Sequence, residues 1–520
     1  MSSTREPSDD LVDGWHDGFV CGGCGARVAA EQLIASRFHC PHFAAGDARD
    51  HVLEPSRPPD TTSHPEEDAT FLRYRSRLTA YRLAKARGTP DDRIRAWIAE
   101  FDARVAGIDG SGFVPTPLVR SPELARAVGL SASGSVWVKD ETTNVSGSHK
   151  ARHLAGIMLF LEIASRLGID GASEAARAAL AIASCGNAAL AAAVIARAAR
   201  RPLRVFVPTT ASPRVTTRLR ALAADVVVCE RQAGETGDPC YHRFHDAVSS
   251  GALPFCCQGP DNALTLEGGQ TLVWELLDQL GAVPLDRLFV QVGGGALASA
   301  CARGLAAVSP ASRQPRLHAV QAQGGFPLVR AWALVARQAL EHEARRCSGA
   351  PSAPITLPEH VRRALNALAA VRGDDAEGVG RAVAVKQADL AAVASHLSEP
   401  ARRTDVRAAL EAAAAQRGAN MWPWECEPVS RAHGILDDET YDWRRVVAGM
   451  LESGGWPIVV TEAEIERANE EGRARTGIDV DHTGSAGLAG AMVLSDRLRA
   501  GGCVMRTDEH VAVIFSGVRR

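Results

Sequence analysis

The chain of 520 residues is poor in lysine: four lysines stand among 58 basic residues, which leaves 54 arginines as its ordinary cation. It also lacks a surplus of either charge, because 61 acidic residues bring the formal balance to −3. Without a basic surplus there is no electrostatic footprint for nucleic acid. With 46% hydrophobic and 23% charged residues, the composition excludes a disordered or collagen-like chain. Fixed-period repeats, coiled-coil heptads and long low-complexity tracts are absent. The first twenty residues, MSSTREPSDDLVDGWHDGFV, are polar and acidic and lack the apolar stretch of a secretory signal, so a cytoplasmic location is expected. Twelve cysteines in such a chain read as thiols or metal ligands, not as a disulfide framework.

No uninterrupted membrane span is present either. The longest apolar stretch, between Arg177 and Arg197, is broken by Ser184, Cys185, Gly186 and Asn187. It predicts a buried strand, a loop and a helix instead. The length implies two or three domains. Residues 1–60, rich in Cys, His, Gly and Pro, read as a small loop-rich module. Residues 61–330 open with a helical lead-in, where Leu, Tyr, Ile and Trp spaced between arginines over 66–108 predict surface helices. The chain then alternates strand-like runs (SVWVKD, AALAIAS, LRVFVP, DVVVCE, RLFVQV, LHAVQA) with Ala-rich helical segments. That alternation predicts an α/β fold with parallel sheets covered by helices. Residues 331–420 read as a helical insertion, and 421–520, with WPIVVT and VAVIFSG, as the completion of the core.

Three glycine-containing loops each follow a strand-like run and open a helix: Asn144 to Lys150, Ser184 to Asn187, and Gly293-Gly294-Gly295-Ala296-Leu297. In a parallel sheet such loops gather at the carboxyl ends of the strands, where helix N-termini offer free N–H groups to anions. Lysine scarcity sharpens one position. Arginine stays charged in a protein, whereas lysine can become a neutral amine that attacks a carbonyl. Lys150, beside a helix start, is therefore a candidate nucleophile.

In this order the loops resemble those of the fold-type II pyridoxal phosphate enzymes, which include threonine synthase, threonine dehydratase, cysteine synthase and the tryptophan synthase beta subunit. The family's lysine segment runs K-x-E-x-x-N-P-T-G-S-F-K. Lys139, Glu141, Asn144, Ser146, Gly147, Ser148 and Lys150 keep it, with Val145 in place of Pro and His149 in place of Phe. The resemblance runs from about 115 to 330 and resumes over about 420–520. It implies two helix-covered, predominantly parallel sheet domains enclosing pyridoxal 5'-phosphate, with Lys150 carrying the cofactor as a Schiff base. It makes Gly293 to Leu297 the phosphate cup and sets Asn187 against the cofactor's 3'-oxygen. Ser184, Cys185, Gly186 and Asn187 become the loop for the substrate carboxylate, and Ser516 faces the ring nitrogen. Cys185 departs from the usual Ser or Thr; taken alone it reads as a small buried residue rather than a nucleophile. Segments 267–276 and 481–490 read first as packing, and the aromatic, acidic stretch from Met421 to Trp443 as a buried cluster placed where relatives build the substrate wall.

At the N-terminus, Cys21, Cys24 and Cys40 with a histidine suit tetrahedral zinc, and many threonine synthase-like proteins begin with a similar knuckle. Position 43 is Phe where a fourth cysteine is usual, so His51 is preferred over His42 or His39 as the fourth ligand, with unmetallated thiols as the alternative. The expected activity is that of a lyase or synthase of amino-acid metabolism. It would remove the α proton of a small-molecule amino acid and eliminate or replace a β or γ substituent, as threonine synthase does. The alternatives are a threonine or serine dehydratase-type deaminase, a β-replacement synthase, or a catalytically silent binder of the cofactor or an amino acid. The resemblance also implies a homodimer.

Overall fold

The apolar runs of the sequence form the strands of two parallel sheets in a computed structural model. It describes residues 18–309 except 45, 58, 59, 234 and 236, then 314–348, 357–499 and 504–520. The sequence readings for residues 1–17 and 349–356 lie outside the described residues. The larger sheet runs in the order Ile458–Val460, Arg316–Ala322, Arg287–Gln291, His510–Phe515, Ser135–Asp140 and Leu118–Arg120. All neighbours are parallel except the last pair. The smaller sheet, Asp225–Cys229, Leu203–Pro208, Leu180–Ala183 and Leu253–Pro254, is wholly parallel. Central strands such as Arg287–Gln291 are buried along their length, which is why they read as unbroken apolar runs rather than alternating ones.

The helix that carries Lys150, Lys150–Arg166, is buried on almost every side from Ala151 to Ala164, as a helix between two layers must be. It crosses the helix Thr265–Leu280 at Gly268. A Cβ on Gly268 would stand 1.9 Å from the carbonyl oxygen of Arg152, so this close approach requires glycine. Arg152, fully buried, donates to both oxygens of Glu141 (2.8 and 2.9 Å) and to both oxygens of Glu275 (2.8 Å each). Lys139 donates to Glu275 Oε2 at 2.9 Å and to the Thr116 carbonyl at 2.7 Å. Two cations and two carboxylates thus neutralise one another inside the core. The segment 267–276 packs as expected, with Glu267 accepting from Thr79; in 481–490, Gly487 and Gly490 pack against Phe289 and Val320, while Thr483 lines a cavity.

The lead-in bears out the expected surface helices in part: Asp91–Asp109 turns Ile94, Ile98, Phe101 and Val105 inward and its other face to solvent. Its helices Thr70–Arg73, Thr79–Ala86 and Asp91–Asp109 are present, but Phe71, Tyr74, Arg75 and Arg77 are buried. The arginines that made the stretch look solvated are held by Glu67, Asp91 and main-chain carbonyls. Beyond Ala322, helices Pro327–Ser348, Glu359–Ala369, Ala376–Val383, Gln387–Leu397 and Arg403–Ala415 contribute Trp332, Leu365, Val393 and Ala409 to the core of the larger sheet. The strands Gly18–Cys21, Arg27–Ala29 and Leu53–Pro55 form a small antiparallel sheet near the N-terminus. Phe19, Leu33 and Phe38 of that region share one apolar cluster with Leu154 and Met158. The ten cysteines whose side chains are described are free thiols, and among the described residues no helix is long and apolar enough to cross a membrane.

Candidate active site

The three glycine-containing loops meet at the carboxyl edges of the two sheets around a cavity of about 700 Å³, the size range of cofactor and substrate sites. Within the lysine segment, only His149 and Lys150 line it. Lys139 and Glu141 belong to the buried ion cluster, and Asn144 shapes the turn by donating to Glu141 and to the Ser148 carbonyl while accepting from Val145 N–H. Lys150 is the first residue of its helix and half-buried, with the N-terminal end of the helix dipole beside its amine.

Ser516 follows the strand His510–Phe515 and reaches the same cavity. Its Oγ accepts the backbone N–H of His149 at 3.1 Å and lies 2.5 Å from His149 Nδ1. Burial, reinforced by Lys150 and His153, holds the His149 pKa well below the ordinary histidine value, so the ring is neutral. His153 behind it, pushed by burial and Lys150 to about 3, is a neutral ring whose Nδ1 donates to the Thr265 carbonyl at 2.7 Å.

Asn187 opens the helix Asn187–Ala198, and its Oδ1 accepts from Arg520, which leaves the amide Nδ2 as its donor end. Ser184, Cys185 and Gly186 line the cavity beside it, with Ser184 Oγ accepting from Gly186 N–H at 3.4 Å. Cys185 is exposed, which corrects the reading of a small buried residue: it stands on the loop that faces the opening, not beneath it. Its place in the cavity raises its thiol pKa, with Asp238 and Asp437 adding to the effect, so it is a thiol and not a thiolate nucleophile at neutral pH.

Gly293 to Gly295 connect the strand Arg287–Gln291 to the helix Ala296–Val308, and Gly295, at φ 96°, caps the helix in the left-handed region. Ala296 and Leu297 complete the lining. The segment 433–441 closes the opposite side. The Thr440 hydroxyl donates to the Gly293 carbonyl at 2.9 Å. A Cβ on Gly293 would stand 2.3 Å from Asp437 Oδ2, so the carboxylate is seated on the loop itself. Burial raises Asp437 to about 6, with Lys150 and the Gly294 N–H pulling it back down.

Asp437, Tyr441, Thr483 and Gln291 line the cavity and were not singled out by the sequence. Asp437 and Tyr441 fall in the acidic, aromatic stretch from Met421 to Trp443, whose density was the available signal. That stretch divides: Trp424 and Trp443 are buried packing residues, as expected, while 433–441 forms wall. No residue of 331–420 is among the described lining residues.

Several polar atoms around the cavity are buried without a partner: Gln291 Oε1, Gln258 Oε1 and His149 Nε2. With a lysine at a helix start, a glycine loop at another helix start and a hydroxyl at a strand end, this donor set fits a phosphorylated aldehyde cofactor.

Away from this cavity, Cys21, Cys24, Cys40 and His51 present ligand atoms that all lie within 4.8 Å of one another. Cys24 and Cys40 sulfurs are 3.6 Å apart, and His51 Nδ1 lies 3.3 Å from Cys40 Sγ and 3.5 Å from Cys21 Sγ. A tetrahedral ion with metal–sulfur bonds of about 2.3 Å would set its ligands roughly 3.8 Å apart. Asp47 Oδ2, 2.8 Å from His51 Nε2, fixes the ring with Nδ1 toward the sulfurs. His42 Nδ1 is 3.8 Å from Cys24 Sγ at the exposed edge, and His39 Nδ1 faces the Cys40 carbonyl at 3.0 Å.

The family model described as pyridoxal-phosphate dependent enzyme matches residues 111–421. The chain is 30% identical over 176 residues to an L-serine dehydratase of Saccharomyces cerevisiae, 32% of this chain and 50% of that protein. It is 29% identical over 222 residues to a threonine synthase of Synechocystis sp., 41% of this chain and 52% of that protein. The chain therefore spans about half the length of the curated relatives it matches. Among solved structures, the diaminopropionate ammonia lyase of Escherichia coli aligns with a TM-score of 0.52 at 14% identity, over 81% of this chain and 88% of that one. A pyridoxal 5'-phosphate-dependent aspartate racemase aligns with a TM-score of 0.50 at 18% identity, over 81% of this chain and 95% of that one. These two alignments show a shared fold.

Proposed function

The chain belongs to the pyridoxal-phosphate dependent enzyme family, and from that premise we propose that it is a lyase that removes the α proton of an amino acid and expels a β or γ substituent. The observation that carries this is the position of Lys150, first in its helix and inside a cavity shared with the Gly293–Gly295 loop, Asn187 and Ser516. In this reading Lys150 would hold the cofactor covalently, the glycine loop through Leu297 would cradle its phosphate, Asn187 Nδ2 would donate to its ring oxygen, and Ser516 would meet its ring nitrogen. When bound, the pyridoxal ring supplies an electron sink for the substrate's α carbon.

The chain's own residues do the rest. The N–H groups of the Ser184–Asn187 loop, at a helix start, orient the substrate carboxylate. The Lys150 amine, on the cavity wall, would take and return protons at the substrate carbons. A hydroxyl at Ser516, coupled to a neutral His149, would not force the cofactor's ring nitrogen to stay protonated, which would favour loss of a leaving group over prolonged delocalisation.

Of the two branches, threonine synthase-like and dehydratase-like, the lining favours the dehydratase type. Among the described residues that line the cavity, Lys150 is the one lysine or arginine, and in this reading it is committed to the cofactor, while Asp437 and Asp238 bring carboxylates. A phosphorylated substrate would need further cations around its own phosphate; serine or threonine would not. For the N-terminal cluster we propose a structural zinc held by Cys21, Cys24, Cys40 and His51, supported by the ligand spacing and the Asp47 contact.

The test is the absorbance spectrum of the purified protein and of Lys150→Ala, followed by addition of serine, threonine and O-phosphohomoserine. A band near roughly 410 nm, expected for a lysine-bound cofactor of this kind, should be present in the native chain and be lost or exchangeable in the variant. Serine or threonine should then release ammonia. An identical spectrum for the variant, or no cofactor after reconstitution, overturns the role of Lys150; phosphate release from phosphohomoserine alone overturns the choice of branch.

A further inference from the structure

A second cavity, of about 290 Å³, lies apart from the first and shares none of its lining residues. Five arginines line it, Arg57, Arg77, Arg82, Arg303 and Arg445, against two carboxylates, Glu54 and Glu267, a formal excess of three positive charges in one small space. The whole chain carries a net negative charge, so this concentration is local and built by the fold. The arginines come from four parts of the chain: the N-terminal strand region, the helical lead-in, the helix Ala296–Val308 and the helix Trp443–Ser453.

The guanidinium groups are positioned rather than loosely solvated. Arg77 is buried, its Nε and Nη2 donate to the carbonyls of Thr62 and Thr61 at 3.1 and 2.7 Å, and its plane lies over the Trp274 ring at 4.6 Å. Arg82 donates to the Arg77 carbonyl at 2.6 Å. The carboxylates are shared among several groups. Glu267 Oε1 accepts from both the N–H and the hydroxyl of Thr79 and lies 4.0 Å from Arg82 Nη2, Glu54 Oε1 pairs with Arg444 at 3.3 Å, and Arg445 Nη2 lies 3.6 Å from Glu452. Arg303 Nη1 and Arg445 Nε are buried without a hydrogen-bond partner. Burial and the like charge of Arg445 lower the Arg303 pKa, with Glu54 and Glu267 acting against them. A set of fixed guanidinium groups with unfilled donors and too few carboxylates is complementary to a multiply charged oxyanion.

We propose that this cavity is a binding site for a small phosphate-bearing polyanion, held chiefly by Arg303, Arg445 and Arg57. Its volume lies at the lower edge of small-molecule sites, roughly 300 Å³ and upward, which suits a pyrophosphate-sized group or a phosphate ester of a small metabolite. The site touches the catalytic region through two elements. The helix Ala296–Val308 has the glycine loop at its start and Arg303 in its second half, and Arg445 stands four residues beyond Tyr441.

The test is calorimetric titration of pyrophosphate into cofactor-loaded protein at low ionic strength, with the cofactor absorbance followed in parallel. Saturable binding is expected, with affinity falling as salt rises and the cofactor band unchanged. Arg303→Gln and Arg445→Gln should each weaken binding about tenfold or more, the loss of one charge-assisted contact. Arg57 is exposed, so Arg57→Gln leaves the fold intact and should weaken binding severalfold even if the other variants fail to fold. Inorganic phosphate and glycerol phosphate serve as second titrants: binding of both assigns recognition to the phosphate group alone, and binding of the ester only assigns a phosphorylated metabolite. Absence of saturable binding, equal affinity in the Arg57→Gln protein, or a cofactor band that shifts with pyrophosphate, which would place the anion at the glycine loop, overturns the proposal.

Discussion

His149 Nδ1 and Ser516 Oγ lie 2.5 Å apart, joining residues 367 positions distant in the chain. The contact ties the residue before the lysine to the hydroxyl at the end of the last strand, and the two substitutions that break it differ in cost. Ser516→Ala leaves both the backbone N–H and the ring Nδ1 of His149 buried without their partner, a loss of about 1–3 kcal/mol. His149→Phe, the residue more usual in the family's segment, removes the ring nitrogens together, including an Nε2 that already lacks a partner, and should stay within about 1 kcal/mol of the native chain. Urea unfolding of the two variants checks the order; a costlier His149→Phe refutes it.

The ion cluster beneath the lysine helix predicts a larger loss. Arg152 is the one cation of the cluster that touches both carboxylates, so Arg152→Met leaves Glu141 buried without its guanidinium and Glu275 with Lys139 as its one cation beside the Thr70 hydroxyl and Thr116 N–H. Removing one partner of a buried pair costs about 3–5 kcal/mol. A double change of Arg152 and Glu141 to Met and Gln should recover part of that loss. Chemical denaturation of the single and double variants measures it, and a single variant as stable as the native chain contradicts the prediction.

Much of this was legible in the sequence because strand, glycine loop and helix start recur in order, and each recurrence constrains backbone rather than side-chain packing. The strands RLFVQV and VAVIFSG, the glycines 293–295 and Lys150 all fall where periodicity and turn chemistry put them. Side chains that depend on contacts distant in sequence were not legible. Arg75 and Arg77 looked solvated because their partners, Asp91 and the carbonyls of Thr61 and Thr62, are brought to them by folding. Asp437 was hidden among six acids between Met421 and Trp443, and only the return of the chain over Gly293 distinguishes it. Cys185 looked like packing because cysteine is usually a small buried residue, although the loop carries it outward.

Asp437 gives a pH dependence with a defined sign. Its folded pKa of about 6 lies above the ordinary value of 3.8, raised by burial. Between those values the folded chain binds more protons than the unfolded one, so this group makes stability fall as pH rises across the window. Asp437→Asn removes the titration. The difference in stability between variant and native cofactor-free protein should be near zero at pH 4 and grow to about 1 kcal/mol in the variant's favour above pH 6, solvent access reducing the full effect. Thermal melts from pH 4 to pH 8 test this, and a difference that does not change with pH rejects it.

The cysteine cluster makes the last prediction, which separates ligand from bystander. His51 faces Cys21 and Cys40 from a buried position with Asp47 behind it, whereas His42 approaches only Cys24 at the exposed edge. Purified protein should carry about one zinc ion per chain, the content expected of one four-ligand site. Cys24→Ser and His51→Ala should lose it, His42→Ala should keep it, and Asp47→Asn should weaken affinity about ten- to hundredfold by releasing the ring. Because Phe19, Leu33 and Phe38 share a core with the helix that carries Lys150, chelation should also lower the melting temperature of the whole chain, not of a detached module. Metal analysis of the four variants decides the ligand set: zinc retained by His51→Ala but lost from His42→Ala would transfer the fourth position to His42, and a native chain that binds none would leave the cysteines as plain thiols.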